Sequence, residues 1–221
     1  GARVIKIENR KNGGDVTRSW RLSSEDRSKQ TSAYFCSVNY NKEYVGADLK
    51  SESDYKKVID LISRADIVIS NFKHKSALKF KVDYETIKAI NPNIIFGHID
   101  GFSNSDRVAY DVVLQAETAL IDVLAAHQLK EGLLTALWSK EKTGKGAFVS
   151  CSLEEAALAS LANQATNYLM NDFVPQRIGS LHPNIAPYGE IVSTKDGKKL
   201  VLAAGSQPQF EKLCNSINAE D

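Results

Sequence analysis

Asp122 is the side chain best placed in this sequence to do covalent chemistry. It opens the stretch IDVLAAHQLKEGLLTALWSKEKTGKG, Ile121 to Gly146. Val123, Ala126, Leu129, Leu133, Leu134, Leu137 and Trp138 recur at helical spacing, which predicts a helix with one inward face behind the aspartate. Lys140, Lys142 and Lys145 fall where the helix dipole favours cations, and Gly144 is a C-terminal stop. At the opposite end the first backbone N–H groups lack partners and favour an anion, so Asp122 is expected to stay ionised at neutral pH. A carboxylate so placed is either an N-cap, the commoner use of the residue, or a nucleophile held deprotonated by those N–H groups. Local sequence leaves both readings open.

Other groups able to meet a ligand follow or precede short apolar strands. Asn39-Tyr40-Asn41-Lys42 is a polar loop ending in a cation, just before a strand over Tyr44 to Leu49. Asn71 and Phe72 follow the continuous apolar strand DIVIS, with Lys73, His74, Lys75, Lys79 and Lys81 beyond. Carboxyl ends of strands in open α/β sheets are where ligands bind, so an Asn, an aromatic ring and lysines there suit adenine and phosphates. A lysine-rich helix face in water is the commoner meaning of such a run. Arg10, Lys11 and Arg18 flank Gly13-Gly14; they suit phosphates too, but a solvated surface loop is the preferred reading, and the spacing is neither G-x-G-x-x-G nor a P-loop. His98 lies in an apolar strand and reads as a satisfied core histidine rather than a general base. Cys36, Cys151 and Cys214 form no C-x-x-C pair and read as reduced thiols; no metal is implied.

The elements that must hold these residues alternate. Strands are expected over Ala2 to Glu8, Tyr44 to Leu49, Asp66 to Ser70 and Asn91 to Ile99. Helices are expected over Asp54 to Ala65, Asp83 to Ile90, Arg107 to Leu120 and, after a Ser152-x-x-Glu155 capping box, Leu153 to Met170. Strand–helix alternation predicts an α/β fold with a parallel, Rossmann-like sheet. IGSLHPNIAPYGE is a Pro/Gly-rich linker, followed by a hairpin turning at Asp196-Gly197 and a last helix over Gln207 to Ile217. The expected division is a large domain, 1–177, and the start of a smaller one, 178–221.

With 28 Lys+Arg against 27 Asp+Glu the net charge is +1, which argues against a general nucleic-acid or membrane-surface binder. No apolar run reaches the roughly 18 residues of a membrane helix, and no signal-peptide pattern is present. Cysteine usage fits a reducing, cytoplasm-like compartment. The chain opens without Met on a strand already in progress, so residues are expected before Gly1. In a eukaryote, a leader for the mitochondrial matrix would lie there.

Several of these stretches, in order, resemble the family III CoA-transferases of the formyl-CoA and carnitine CoA-transferase type. They are GARVIKIE with GGDVTR, SVNYNKEYVGADLKS, ADIVISNF, YETIKAINPNIIFGHIDGF, AYDVVLQAE, the Asp122 stretch running into SCSLEEA, HPNIAPYGE and TKDGKKLVLAAGSQPQFEKLC. The resemblance implies a Rossmann-like large domain, a smaller domain and an interlocked homodimer. It implies acyl-CoA and a carboxylic acid as substrates, and Asp122 as a nucleophile forming an acyl-aspartyl anhydride and an aspartyl-CoA thioester. It also implies CoA contacts from Lys42, Asn71, Phe72 and Lys79, the last replacing an arginine, and places Tyr110 near the thioester.

The sequence departs from the family's pattern. An opening strand and loop carrying a glutamine, a glycine-rich stretch between Leu120 and Ile121, and a C-terminal glycine loop are missing. HPNIAPYGE and TKDG are similar to the branch that uses dicarboxylates such as succinyl-CoA. One alternative is an α-methylacyl-CoA racemase, which pairs the aspartate with a G-H-D histidine where this chain has Ala109-Tyr110-Asp111. Another is a non-catalytic CoA-binding protein.

Overall fold

The computed structural model describes residues 2–102, 121–185 and 187–219. The expected helix over Arg107 to Leu120 lies outside them. The chain divides into two compact units, Gly1–Ala157 and Leu158–Asp221. The expected boundary at Ile178 therefore falls inside the second unit.

In the first unit β1 (Ile5–Glu8) pairs in parallel with β2 (Glu43–Gly46), Ile5 opposite Glu43. A second parallel sheet has the order β3 (Ile67–Ser70), β4 (Ile95–Asp100), β5 (Ala147–Ser152). Apolar strands joined through helices give the parallel α/β arrangement expected of them.

Both faces of β4 are packed, because successive side chains alternate. On one face Phe96 joins Ile94, Val58 and Ile62 of α2 (Glu52–Ser63), and Ile87 of α4 (Tyr84–Ile90). On the other, Ile95 and Ile99 meet Ala125, Leu129, Leu133 and Ala136 of α5 (Ile121–Thr143), with Cys151. Close approach is built in at Gly132, where a Cβ would stand 2.6 Å from Val149 Cγ1.

Local chemistry fixes several ends. Asp83 caps α4 by accepting from Thr86 N–H at 3.1 Å. The expected capping box is formed: Ser152 Oγ accepts from Glu155 N–H at 3.0 Å, and Glu155 Oε2 accepts from Ser152 N–H at 3.4 Å. The Asn91 amide donates to the Ile62, Ser63 and Ala65 carbonyls at 3.2, 3.4 and 2.9 Å, closing the end of α2.

Three elements differ from expectation. Ser32 caps an additional helix, α1 (Ala33–Asn39), by accepting from Phe35 N–H at 2.9 Å. The lysine-rich run contains α3 (His74–Phe80). The single long helix after β5 is two, α6 (Leu153–Ser160) and α7 (Asn163–Asn171), with Ala162 between them at φ 44°, ψ −118°, outside the regions open to ordinary residues.

In the second unit β6 (Ile191–Ser193) and β7 (Lys199–Val201) form the expected antiparallel hairpin, with Gly197 at φ 79° in the turn. The last helix, α8, is Gln207–Ile217. Among the described residues no helix is long and apolar enough to cross a membrane.

Candidate active site

Three contacts fix the direction of α5 against the sheet. Near its C-terminus, Lys140 Nζ is 3.5 Å from Oδ1 of Asp66, which precedes β3. In its middle, Leu133 faces Gly97 of β4. Toward its N-terminus Ala125 packs with Cys151, late in β5, and with Ala156. The helix thus runs against the strands, and its N-terminal mouth lies at their carboxyl edge. Asp122 is the second residue of that mouth; its side chain lies outside the described part.

Asn71 and Phe72 follow the carboxyl end of β3, so they share this edge with the α5 mouth. Phe72 is partly exposed; its ring meets Phe80 at 5.8 Å, and its N–H donates to Ser70 Oγ at 3.3 Å. Lys79 is exposed in the last turn of α3. Lys42 is exposed at the amino end of β2, the opposite end of its strand, and donates to Asn39 Oδ1 at 3.3 Å. Tyr110 lies outside the described residues.

The basic loop is a surface loop, as expected, with Arg10 and Lys11 exposed, but its cations already have carboxylate partners. Arg18 donates from Nε and a terminal nitrogen to the two oxygens of Glu8, each at 3.1 Å, and Lys6 stands 3.4 Å from Glu8. Arg10 meets Asp54 at 2.9 Å and Lys11 meets Asp48 at 2.6 Å. The Arg18 guanidinium also lies 3.9 Å over the Phe35 ring. Burial works against the charge on Glu8, but Arg18, the Asp15 N–H and Lys6 overcome it and hold its carboxyl below the usual range. Asp15 behaves likewise. Burial opposes its ionisation, yet hydrogen bonds from Lys6 and from the Thr17 N–H and hydroxyl lower its pKa to about 2. These cations are spent within the protein, holding the loop to β1 and α2. Their partners Asp48 and Asp54 lie some forty residues away, so no local signal reveals them.

A pair that sequence reading did not assemble sits at the end of β4. His98 Nε2 is 3.3 Å from Asp100 Oδ2. The i, i+2 spacing on a strand puts both on one face. Among the described residues no group of three or more His, Cys, Asp or Glu is arranged to hold a metal.

The sequence matches the family model described as CoA-transferase family III over residues 1–128 and 116–221. It is 35% identical to the succinate–glutarate CoA-transferase of Agrobacterium fabrum, over 98% of this chain and 60% of that protein. It is 30% identical to the acetyl-CoA:oxalate CoA-transferase of Acetobacter aceti, over 100% of this chain and 61% of that one. The chain thus spans about three fifths of the length of these relatives. A CAIB/BAIF family protein from Brucella suis superposes with a TM-score of 0.78 at 33% identity, covering 100% of this chain and 63% of the other. Rv3272 of Mycobacterium tuberculosis shares the fold, with a TM-score of 0.81 at 23% identity over 100% of this chain and 62% of that one. The alternating parallel units, the Asp122 helix and these matches agree: the chain belongs to CoA-transferase family III.

Proposed function

We propose that this chain carries the nucleophile and part of the CoA site of an acyl-CoA:carboxylate CoA-transferase. The observation that supports this most is the placement of the α5 mouth, with Asp122 as its second residue, at the carboxyl edge of a parallel sheet.

The Asp122 carboxylate attacks the thioester carbonyl of the donor. The C–S bond breaks, CoA leaves as a thiolate and an acyl-aspartyl anhydride remains. The thiolate then attacks the aspartyl carbonyl, releasing the donor acid and giving an aspartyl-CoA thioester. The acceptor carboxylate repeats the sequence in reverse and leaves as the new acyl-CoA. Covalent catalysis divides one hard exchange into easier steps, and unpaired N–H groups at a helix mouth stabilise the anionic carboxylate and the developing oxyanion. Lys42, Asn71, Phe72 and Lys79 contact CoA, and Tyr110 lies beside the thioester. Lysine at position 79 meets a phosphate as a point charge. Relatives named for succinate–glutarate and succinyl-CoA:mesaconate exchange favour a dicarboxylyl donor such as succinyl-CoA. The working form is an interlocked homodimer.

The test is trapping. The protein is incubated with a panel of acyl-CoAs, quenched with hydroxylamine, and its peptides are mapped by mass. A hydroxamate on Asp122 that requires acyl-CoA is the expected result, absent in Asp122→Asn. An unmodified Asp122 with every donor, together with α-proton exchange in deuterated water, would replace this reading with racemisation.

A further inference from the structure

We propose that His98, oriented by Asp100, is the acid–base partner of the coenzyme A sulfur; the inference rests on the CoA-transfer reading above. The imidazole is mostly enclosed, its side chain 16% exposed, and the Asp100 carboxyl is 37% exposed. Asp100 Oδ2 stands 3.3 Å from Nε2, so Nδ1 is the nitrogen turned away from the carboxylate. A carboxylate beside one nitrogen of a histidine favours the tautomer that carries its proton there.

Position carries the argument further. Register places Ser70 of β3 and Ser150 of β5 on either side of His98, and Ser152 beside Asp100. The same face of the sheet is aromatic one pair earlier, where Phe96 and Phe148 stack at 5.9 Å. The change from aromatic to small and polar comes at the carboxyl edge, where α5 begins and where Asn71 and Phe72 leave β3. His98 and Asp100 lie on the face opposite α5, and the α5 mouth that contains Asp122 lies at the same carboxyl edge, so a thioester arm lying across the edge would pass both. Among the described residues, the charged group brought to His98 is Asp100.

Such a group answers a need of the reaction. Even a cysteine thiol ionises only near pH ~8.5, so a departing CoA thiolate tends to protonate, and it must lose that proton to attack again. As the thioester C–S bond breaks, its electron pair goes to sulfur and the proton on Nδ1 of imidazolium His98 passes to it, leaving CoA–SH and neutral imidazole. When sulfur attacks the aspartyl carbonyl, neutral Nδ1 takes the proton back. The proton stays within the His98–sulfur pair, so no further reactant is required.

The test compares wild type, His98→Gln and Asp100→Asn for acyl loading of Asp122 from two donors with the same acyl group. One donor is the acyl-CoA; the other is an S-aryl thioester, whose acidic thiol leaves without a proton. Loss of the proton donor should slow loading from acyl-CoA by roughly 100-fold in His98→Gln. Asp100→Asn, which presents the wrong tautomer, should slow it in the same direction. Loading from the aryl donor should proceed at the wild-type rate in both. Equal slowing with both donors, or none with either, overturns the inference. If His98→Gln does not fold, the near-isosteric Asp100→Asn carries the same comparison. Wild type that loads from neither donor would instead sink the transfer reading itself.

Discussion

The Arg18 guanidinium closes on the Glu8 carboxylate through two hydrogen bonds of 3.1 Å, and the Glu8 side chain is almost wholly buried. Truncating one partner strands a buried charge. Arg18→Ala is expected to destabilise the first unit by about 3 kcal/mol, since breaking a buried pair from one side typically costs that much. Part of the loss is packing, because Arg18 also covers Phe35. Urea unfolding of the variant checks this; a change under about 1 kcal/mol would mean that the pair is dispensable.

Acid should loosen the same loop. Asp15 has its pKa lowered from 3.8 to about 2, and Glu8 is lowered too. A carboxylate depressed by folding contributes stability that is fully present above its unfolded value and disappears as pH falls through the folded one. For Asp15 that amounts to on the order of 2 kcal/mol, lost between about pH 4 and pH 2. Asp15→Asn should therefore be less stable than wild type at pH 6 and lose less on acidification. Parallel acid-loss curves for the two proteins would contradict the assignment.

Gly132 is predicted to be a packing position. Replacing it with alanine improves helix propensity by about 1 kcal/mol, but drives a methyl into Val149, a β-branched side chain with little freedom to turn away. Gly132→Ala should be net destabilising by about 1 kcal/mol, since overpacking costs about 1–3. Val149→Ala in the same chain should recover most of it. A double-mutant cycle without coupling would show that the contact is not tight.

Asn91 carries a similar prediction for α2. Its amide donates to three carbonyls at that helix's end. Asn91→Asp, which removes the donors and adds a charge facing carbonyl oxygens, should cost more than Asn91→Ala, itself worth about 1–3 kcal/mol. Thermal melts of the two variants give the order directly.

What the sequence disclosed was what depends on neighbours in the chain. The Ser152–Glu155 box and the Asp196-Gly197 turn are built from residues within a few positions of each other, and both form. The α5 helix was legible but its inward face only in part: Leu129 and Leu133 are buried as expected, whereas Ala126, Leu134 and Trp138 are exposed and Ala125 and Ala136 are buried in their stead. The loop cations were not, because Asp48 and Asp54 reach Lys11 and Arg10 only after β2 has paired with β1. Helix α1 was hidden by aromatic and β-branched residues of middling helix propensity. The α6–α7 break interrupts a sequence that reads as one continuous helix, and nothing local announces Ala162's backbone. His98 and Asp100 were not paired, because the expected strand stopped at Ile99 and left Asp100 outside it, whereas the strand runs to Asp100.

Helix α5 also limits how this segment can change length. Its 23 residues span about 34 Å, and buried side chains at Ala125, Leu129, Leu133 and Ala136 key it to the sheet along that length. Adding one residue between Leu129 and Asp122 would swing the mouth by about 100° and advance it by about 1.5 Å. The aspartate would then leave the carboxyl edge although every side chain was still present. Insertions and deletions here should be tolerated far less than substitutions, and the eight positions from Asp122 to Leu129 form a ruler as much as a sequence.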